Sequence, residues 1–461
     1  MLKIVVKEIS YVPPQEIFNK IKNLAYPFLL ESALNCNANR FSYAGCLPFE
    51  IITQPITAGK EEVLKTFNEL NSRYLLPLQD KPVPFIGGAV GFISYDFGRC
   101  LENIPETTLD DLSLPYYHFA YYAWIFAWDH LLKKSYIIAT GFPNHEKVTY
   151  YKTAQKNISF ALSLLEKSVI NIDHTTYKKD LYKLHLPYSR QDYEDIIKKT
   201  IQYICAGDIF QANISQRFIV SPAPPSWESY RAVTKINAAP FAAYLVYPEF
   251  EIVCASPERF IKKTGNIIET SPIKGTRKRG LTPKQDEELR QELWTSHKDR
   301  AELAMIIDLQ RNDLNKFCLA GSVHVPELYT IEAFPSVWHL ISKIQGTLPN
   351  DISISKIISE VFPGGSITGA PKIRAMEIIE ELEKVRRGIY TGSIGYIGFD
   401  EDFDFNIVIR TALFKNQKVY IQTGGGITAL SDPGFEYEET LIKAEKLFNA
   451  LGVSNYEIND K

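Results

Sequence analysis

The sequence of 461 residues predicts an α+β fold. Strand-like segments rich in β-branched and aromatic residues occur in blocks rather than in strict alternation with helices, which argues against a doubly wound parallel sheet. Clear helical segments lie between these blocks, and we find no internal repeat or low-complexity tract. Hydrophobic residues make up 45% of the chain and charged residues 23%, as in ordinary folded, soluble proteins. The length allows several hydrophobic cores.

The first third of the chain consists mainly of predicted strands. They run from Leu2 to Ile9, from Phe85 to Tyr95, from Tyr116 to Trp128 and from Ser135 to Ala139, and their pattern predicts an antiparallel sheet. Residues 144–168 have helical spacing, and the polar stretch 171–180 follows as a linker or loop. We therefore divide the sequence into a strand-rich region, 1–175, and a second region, 185–455.

The second region mixes both kinds of element. It begins with a predicted helix from Asp192 to Cys205. Predicted strands follow at 209–220, 242–263, 322–346 and 393–421, and predicted helices at 283–293, 296–314, 371–384 and 434–450. The last helix opens with Asp432-Pro433, a typical start signal.

Charge and cysteine usage exclude several classes of function. A net charge of -3 leaves no broad basic surface for nucleic acid. No segment is long and apolar enough for a signal peptide or a membrane span, so we expect a cytoplasmic protein without a membrane partner. The six cysteines lack zinc-ligand spacing, and none lies in the Gly-x-Cys-x-Gly turn that carries the nucleophile of glutamine amidotransferases.

Lys274 is the first candidate for chemistry. It lies between Ile273 and Gly275 in the run Pro-Ile-Lys-Gly-Thr-Arg, 272–277. An amine that is partly removed from water loses its proton more readily, and the neutral amine is a nucleophile. A solvated loop lysine is the alternative interpretation.

Carboxylates on two predicted helices form the second and third candidates. Glu436, Glu439 and Lys443 share one face of the last predicted helix, and carboxylates in such an arrangement suit Mg²⁺. Glu302 lies beside the apolar run 303–307 and needs a partner if it is buried, either a metal ion or an arginine. A solvated charged helix face is the alternative for the first group.

Two glycine-rich loops and two isolated polar residues complete the candidates. The loops, 363–372 and 423–428, offer backbone N–H groups to an anion, and neither has the spacing of a nucleotide-binding loop. Carboxylates therefore fit them better than phosphates. His339 and Arg410 lie within strand-like apolar runs, where a guanidinium could bind a carboxylate through two hydrogen bonds. Ordinary turns and structural polar residues are the alternatives.

Together these segments resemble the chorismate-utilising enzymes. This family includes anthranilate synthase component I, aminodeoxychorismate synthase component I, and isochorismate and salicylate synthases. The resemblance runs from about residue 190 to 450, through 207–217, 256–260 and all the motifs above in a fixed order, and more weakly through 87–96. It implies two large antiparallel sheets packed face to face, with helices outside and the active site in a cleft of the second region.

The resemblance also implies the cofactor and the binding residues. Mg²⁺, held by Glu302 and Glu439 with Glu436 nearby, would bind the ring carboxylate of chorismate. Arg410 and backbone groups of Gly425 and Gly426 would hold the enolpyruvyl carboxylate. The full set of implied substrate-binding positions is Thr276, Ser366, Arg410, Gly424, Gly425, Gly426 and Lys443.

The implied catalytic residues are three. Lys274 would attack C2 of chorismate, and Glu258 would act as general acid to the departing C4 oxygen. His339 matches a histidine that anthranilate synthases use in the loss of pyruvate, and its role in an enzyme that retains the enolpyruvyl group is open.

Position 274 separates the branches of the family. Anthranilate synthases resemble Pro-Ile-Ala-Gly-Thr there, and aminodeoxychorismate synthases resemble the Pro-Ile-Lys-Gly-Thr of this chain. Segments 211–216 and 363–369 favour the same branch. This branch implies amination of chorismate at C4, with ammonia supplied by a separate glutaminase subunit. The alternatives are anthranilate synthase component I, an isochorismate or salicylate synthase, and a non-catalytic chorismate- or tryptophan-binding subunit.

Glu31 and Ser32 resemble half of the tryptophan pocket of anthranilate synthases. The other half of that pocket does not match, because the chain has Asn-Ala-Ala-Pro-Phe-Ala-Ala at 237–243. We therefore do not expect tryptophan to inhibit. The alternative is a capping or buried hydrogen-bonding pair.

Overall fold

The computed structural model describes residues 2–33, 40–70, 73–76, 80–166, 181–334 and 337–453. The strands are β1 (Val5–Ile9), β2 (Phe28–Glu31), β3 (Phe41–Gly45), β4 (Glu50–Gln54), β5 (Gly88–Ile93), β6 (Tyr117–Tyr122), β7 (Trp124–Asp129), β8 (Lys134–Ala139), β9 (Lys183–His185), β10 (Gln211–Ser221), β11 (Phe241–Val246), β12 (Phe250–Ser256), β13 (Arg259–Thr264), β14 (Ile267–Ser271), β15 (Ile273–Lys278), β16 (His324–Ala333), β17 (Val337–Thr347), β18 (Gly369–Ala370), β19 (Ser393–Gly398), β20 (Phe403–Asn406), β21 (Thr411–Lys415) and β22 (Lys418–Ile427).

Helices occur at all six predicted positions, and the described residues contain five further α-helices. The helices are α1 (Pro14–Ile21), α2 (Lys60–Glu69), α3 (Gly98–Leu101), α4 (Lys147–Leu165), α5 (Arg190–Cys205), α6 (Ser226–Ile236), α7 (Pro283–Thr295), α8 (His297–Asn315), α9 (Ile354–Val361), α10 (Lys372–Leu382) and α11 (Pro433–Ala450). The predicted start of α11 is confirmed, because the Asp432 side chain accepts from the Phe435 N–H. The predicted linker at 171–180 lies outside the described residues.

The described strands form two antiparallel sheets. The first, with 12 strands, has the order β1-β8-β7-β3-β2-β11-β12-β21-β22-β10-β18, and β9 also pairs with β10. The second, with 10 strands, has the order β15-β17-β14-β13-β20-β19-β5-β6-β4, and β16 also pairs with β17. Each sheet combines strands from both regions of the sequence. The predicted α+β class is therefore confirmed.

The two sheets pack face to face, as the resemblance implied. One buried core contains side chains from both, and the ring of Phe92 on β5 lies 5.9 Å from that of Phe250 on β12. A second core lies between the other face of the 12-stranded sheet and helices that include α5 and α11. Helices thus cover the outside.

Two neighbouring chain segments each cross from one sheet to the other. Residues 257–258 connect β12 to β13, and residues 407–410 connect β20 to β21. The Ile407 N–H donates to the Glu258 carbonyl at 3.0 Å, and the Ala255 N–H donates to the Arg410 carbonyl at 3.1 Å. These hydrogen bonds join the two crossings, so Glu258 and Arg410 both lie at the seam between the sheets, Glu258 beside Ile407 and Arg410 beside Ala255.

The crossing at 407–410 corrects one expectation. We predicted Arg410 within a strand, but 407–410 lie outside the strands and Arg410 has a φ of 53°. The apolar run is buried because it passes between the sheets, and burial rather than strand pairing explains its composition. In the described part of the chain, no helix is long and apolar enough to cross a membrane. The expected cytoplasmic location stays a prediction.

Candidate active site

Lys274 projects from β15 at a bulge. The register against β17 shifts between Lys274 and Thr276, and Gly275 between them has a φ of 75°, a backbone conformation that favours glycine. The extra residue sets the direction of the Lys274 side chain. Its Nζ lies 3.5 Å from the Ser366 carbonyl oxygen, at the long end of the hydrogen-bond range.

Glu258 lies at the neighbouring crossing and shares Ser366 with Lys274. The Ser366 hydroxyl donates to Glu258 Oε1 at 2.9 Å. Burial raises the pKa of Glu258 to about 7, although the positive charge of Lys274 opposes the shift. Burial also lowers the pKa of Lys274, against the negative charges of Glu258 and Glu302. Lys274 is thus a half-buried strand residue in a charged site, and the solvated-loop interpretation is wrong.

Helix α11 presents Glu436, Glu439 and Lys443 toward β22. Lys443 Nζ lies 2.6 Å from Glu439 Oε1 and donates to the Gly424 carbonyl at 2.8 Å. A Cβ atom on Gly425 would lie 2.9 Å from Glu436 Oε2 and 3.9 Å from Glu439 Oε1. Because Gly425 has no side chain, space remains between the strand and the two carboxylates.

Glu302, on α8, interacts electrostatically with Lys274 and Glu439. Burial raises its pKa, Lys274 opposes that shift, and the negative charge of Glu439 adds to it. The Lys298 amine lies 3.9 Å from Glu302 Oε1. We considered an arginine as the partner of Glu302, but its one ion pair among the described residues is with Lys298, on the helical turn before it.

The donor chemistry of these carboxylates fits Mg²⁺. Burial raises the pKa of Glu436, and the neighbouring Glu439 raises it further. A hard divalent cation binds oxygen donors and relieves the repulsion between neighbouring carboxylates. The described residues contain no group of three His, Cys, Asp or Glu side chains already arranged around a metal position. Mg²⁺ usually takes only one or two protein carboxylates and completes its shell with water and substrate oxygens.

His339 and Arg410 lie on the other side of the site. His339 Nδ1 is 2.9 Å from the Thr276 hydroxyl, directly across the strand pair. Burial and then the charge of Arg410 lower the pKa of His339 to about 4, so the imidazole is neutral at pH 7. Burial also lowers the pKa of Arg410, and among the described residues no carboxylate forms a salt bridge with it. An unpaired, half-buried guanidinium is suited to an anionic ligand.

The glycine-rich strand has one free edge. β22 leaves β21 after residue 421, so 422–427 pair only with β10. The Asn213 N–H points away from β22, since it donates to the Thr368 carbonyl at 2.7 Å. Polar groups alternate along an antiparallel ladder, so Gly424 and Gly426 direct their backbone groups to the free edge, whereas those of Gly425 lie within the ladder. The strand thus offers N–H groups at Gly424 and Gly426 and open space at Gly425.

Glu31 and Ser32 lie elsewhere, at a cavity of about 210 Å³ between the sheets. Glu31 accepts from Tyr230 at 2.7 Å and from Gln15 at 3.0 Å, which agrees with a buried hydrogen-bonding role. Residues 240–243, the mismatched half of the resemblance, line the same cavity. The two halves are therefore adjacent, and the chain keeps a pocket there with a different lining.

Comparisons with known proteins agree with this geometry. The sequence model for chorismate binding enzymes matches residues 33–449. The chain belongs to this family. It is 37% identical over 441 residues to aminodeoxychorismate synthase component 1 of Bacillus subtilis, covering 93% of this chain and 92% of that protein. It is 36% identical over 467 residues to anthranilate synthase component 1 of Geobacillus stearothermophilus, covering 95% and 91%.

A solved structure has the same architecture as this family member. The crystal structure of anthranilate synthase component I from Streptococcus pneumoniae TIGR4 matches with a TM-score of 0.79 and 28% identity, over 90% of this chain and 93% of that one. The implied fold is thereby confirmed. The identities to the aminodeoxychorismate synthase and to the anthranilate synthase differ by one percentage point, so identity does not assign the chain to either branch of the family.

Sequence reasoning missed two parts of this family site. Arg387 is buried and donates to Glu383, to the Ile367 carbonyl next to Ser366, and to the Asn213 carbonyl at 2.6 Å. The sequence around it reads as a charged loop, so no local signal was available. The amides of the 211–216 run were noted only as a resemblance, although the two-residue spacing of Gln211 and Asn213 already places those two side chains on one face of a strand.

Proposed function

We propose that this chain forms 4-amino-4-deoxychorismate from chorismate and ammonia, with Mg²⁺ as cofactor. The observation that carries this proposal is the Lys274 amine, which shares Ser366 with the buried Glu258. The naming of the Bacillus subtilis relative supports the same reading. Chorismate as the ligand class follows from the family.

Burial prepares both members of the pair for complementary tasks. A lysine must be neutral to attack, and a carboxyl group must be protonated to act as an acid. Burial disfavours both charges, which lowers the pKa of Lys274 and raises that of Glu258 to about 7. The pair therefore shifts toward the amine and carboxylic acid forms, the state in which both can act at once.

The proposed reaction is two allylic displacements. In the first, Lys274 Nζ forms a bond to C2, the ring double bonds shift, and the C4 hydroxyl leaves as water with the proton of Glu258. In the second, ammonia forms a bond to C4, the double bonds return, and the C2–N bond breaks to release Lys274. The sum is chorismate plus ammonia giving aminodeoxychorismate plus water.

The remaining site residues would bind the carboxylates of the substrate. Arg410 and the N–H groups on the free edge of β22 would hold the enolpyruvyl carboxylate. Glu302, Glu436 and Glu439 would hold Mg²⁺, which when bound neutralises the ring carboxylate and draws electron density from the ring. Because His339 is neutral at pH 7, it would hydrogen-bond rather than supply positive charge.

The nitrogen source would be a separate glutaminase subunit. None of the six cysteines lies in an amidotransferase turn, so the chain has no evident way to hydrolyse glutamine. Its relatives are named component 1, which fits a second component. We expect the purified chain to use ammonium salts and not glutamine, and turnover of glutamine by the chain alone would contradict this expectation.

Product identification tests the proposal. The purified chain is incubated with chorismate, MgCl₂ and ammonium chloride, and the products are resolved by mass spectrometry. We expect an aminated compound that retains the enolpyruvyl group. Anthranilate with pyruvate, detected by fluorescence, would assign the chain to the anthranilate branch. Product formation without ammonia would indicate an isochorismate or salicylate synthase, and no conversion would favour a binding subunit.

A further inference from the structure

Lys298 is a cation at a position where its own helix does not favour one. It is the second residue of α8, which begins at His297. The N-terminal end of a helix carries a partial positive charge, which repels a lysine. A Lys–Glu pair four residues apart is also weaker when the lysine comes first, as Lys298 does before Glu302. The energetics of the helix therefore do not account for this lysine.

The amine of Lys298 is directed toward the cleft. Its Nζ lies 3.9 Å from Glu302 Oε1, and this is its one ion pair among the described residues. The neighbouring acidic side chain, Asp299, accepts instead from Arg277 Nη2 at 3.1 Å. Lys298 thus belongs with the carboxylates of the cleft rather than with the other charges of its own helical turn.

The charge of Lys298 acts on all three carboxylates that we assign to Mg²⁺. Burial raises the pKa of Glu302 and of Glu436, and the Lys298 charge opposes both shifts. The pKa of Glu439 is lowered in spite of burial, first by Lys443 and also by Lys298. Glu302 lies on α8 and the other two carboxylates lie on α11. The Lys298 amine is therefore close to the place where the carboxylates of the two helices meet.

The second lysine at these carboxylates is held more firmly. Lys443 is 29% exposed, and it donates to the Gly424 carbonyl at 2.8 Å while it pairs with Glu439 at 2.6 Å. Lys298 is 78% exposed, and its only contact with a carboxylate in the described part of the chain is longer than a hydrogen bond. Its flexible stem can therefore move the amine into solvent at little cost.

We propose that Lys298 competes with Mg²⁺ for the carboxylates of Glu302, Glu436 and Glu439 and so sets the affinity of the chain for the metal. This inference rests on the proposed function, which assigns these carboxylates to Mg²⁺. An ammonium group and a divalent cation repel each other at the same oxygens, so the amine must withdraw when the metal binds. The competition keeps the metal affinity below the value that the three carboxylates alone would give.

The neighbouring helix provides a matched control. Lys284 is the second residue of α7, and its Nζ lies 3.9 Å from Oε1 of Glu288, four residues later. Helix position, spacing and distance are thus the same as for Lys298 and Glu302. The surroundings differ, because Glu288 is 64% exposed whereas Glu302 is 30% exposed and faces the cleft.

The test compares Lys298→Met, Lys298→Arg and Lys284→Met by calorimetric titration of the chain with MgCl₂, without substrate and at low ionic strength. We expect the Kd for Mg²⁺ to fall about 3- to 10-fold in Lys298→Met, because a positive charge within several ångströms of the metal is lost. Lys298→Arg keeps the charge and should not tighten binding. Lys284→Met should keep the wild-type Kd. At about 1 M salt, where charges are screened within about 3 Å, the advantage of Lys298→Met should disappear.

Thermal unfolding gives a second readout that does not depend on turnover. A ligand that binds only the folded chain stabilises it more when its Kd is lower. At one fixed concentration of MgCl₂, the rise in Tm should therefore be larger for Lys298→Met than for the wild-type chain or for Lys284→Met. The same scans show that each variant is folded.

The outcomes separate this inference from the proposed function. Equal or weaker Mg²⁺ binding by folded Lys298→Met would overturn the competition. Equal tightening in Lys284→Met would also overturn it, since the effect would then follow from net charge alone. A wild-type chain that binds no Mg²⁺ contradicts the proposed cofactor instead.

Discussion

Charged side chains are buried in two regions where the sheets meet, and the two regions differ in whether those charges form ion pairs. In the cavity beside Glu31, two arginines have carboxylate partners: Arg259 donates to Asp404 at 2.9 and 3.1 Å, and Arg40 pairs with Asp129. In the proposed catalytic cleft, Arg410 has no salt bridge among the described residues, and burial raises the pKa of Glu258 to about 7.

The difference distinguishes buried charges that stabilise the fold from buried charges that are available for binding or catalysis. A buried charge with a well-placed partner stays ionised and holds two elements together, whereas a buried charge without one shifts its pKa or binds a ligand. Perturbed pKa values cluster at functional sites for this reason. The comparison predicts that changes in the cleft reduce turnover, and that changes at the paired charges reduce stability.

The largest effect is expected from Lys274→Ala. If the amine is the nucleophile, its loss should lower formation of aminodeoxychorismate by at least about 10⁴-fold, because the covalent route is closed. Mass spectrometry of the products also shows whether ammonia is diverted to C2. Lys278→Ala, an exposed lysine on the same strand, is the control and should keep normal turnover. Undiminished amination at C4 by Lys274→Ala would remove the nucleophile from the proposal.

Glu258→Gln is expected to have the next largest effect. Loss of a general acid costs about 10²- to 10⁴-fold in rate. In the wild-type chain Glu258, whose pKa burial raises to about 7, must keep its proton while Lys274 loses its own, so kcat/KM should fall about tenfold per pH unit once the pH exceeds the pKa values of both groups. The variant has no such proton, and this limb should be absent from its pH profile. A variant that keeps the limb would assign it to another group.

Asp404→Ala tests the paired region. It leaves Arg259, which is 11% exposed, without its main partner, and such a loss typically costs about 3–5 kcal/mol. Denaturant unfolding should show the loss, while the product formed per folded chain stays an aminated chorismate. Glu8→Ala, which breaks the exposed pair with Lys134, should give no measurable change in stability. Equal effects of the two variants would contradict the distinction between the regions.

Local signals predicted many of the elements of this fold. The Ser296 cap separates α7 from α8 where the sequence predicted two helices, and alternating runs predicted most strands. The sheet order was not accessible in the same way. β2 pairs with β11, more than 200 residues later in the chain, and nothing in either segment specifies the other as its neighbour. Long-range pairing is set by the whole core rather than by local pattern.

In the candidate site, too, the sequence predicted local placement of residues but not their tertiary contacts. Period and composition placed Glu436, Glu439 and Lys443 on one helix face, and the structure has them there. They did not reveal that Arg410 leaves the strand at a crossing. That placement depends on which groups lie across the gap, and that information is in the tertiary contacts alone.

The smallest effect that sharpens the comparison is expected from Glu436→Gln. Glu439 already has Lys443 at 2.6 Å, whereas Glu436 has no ion pair among the described residues. A divalent cation should therefore depend on the charge of Glu436. We expect the Kd for Mg²⁺ or Mn²⁺ to rise about 10-fold, measured by calorimetric titration of the chain without substrate, with turnover largely restored at high metal concentration.

The control for that measurement lies on the same helix. Glu438 is paired with Arg190 at 2.9 Å and points away from Glu436, so Glu438→Gln should leave metal affinity unchanged. Burial raises the pKa of Glu436, so its proton must leave before a metal binds, and affinity in the wild-type chain should increase as the pH rises above the usual range of a glutamate. Glu436→Gln should lose part of this pH dependence. Equal metal affinity in the two variants would place the cation away from Glu436 and would remove the electrostatic reason for the crowded carboxylates in the cleft.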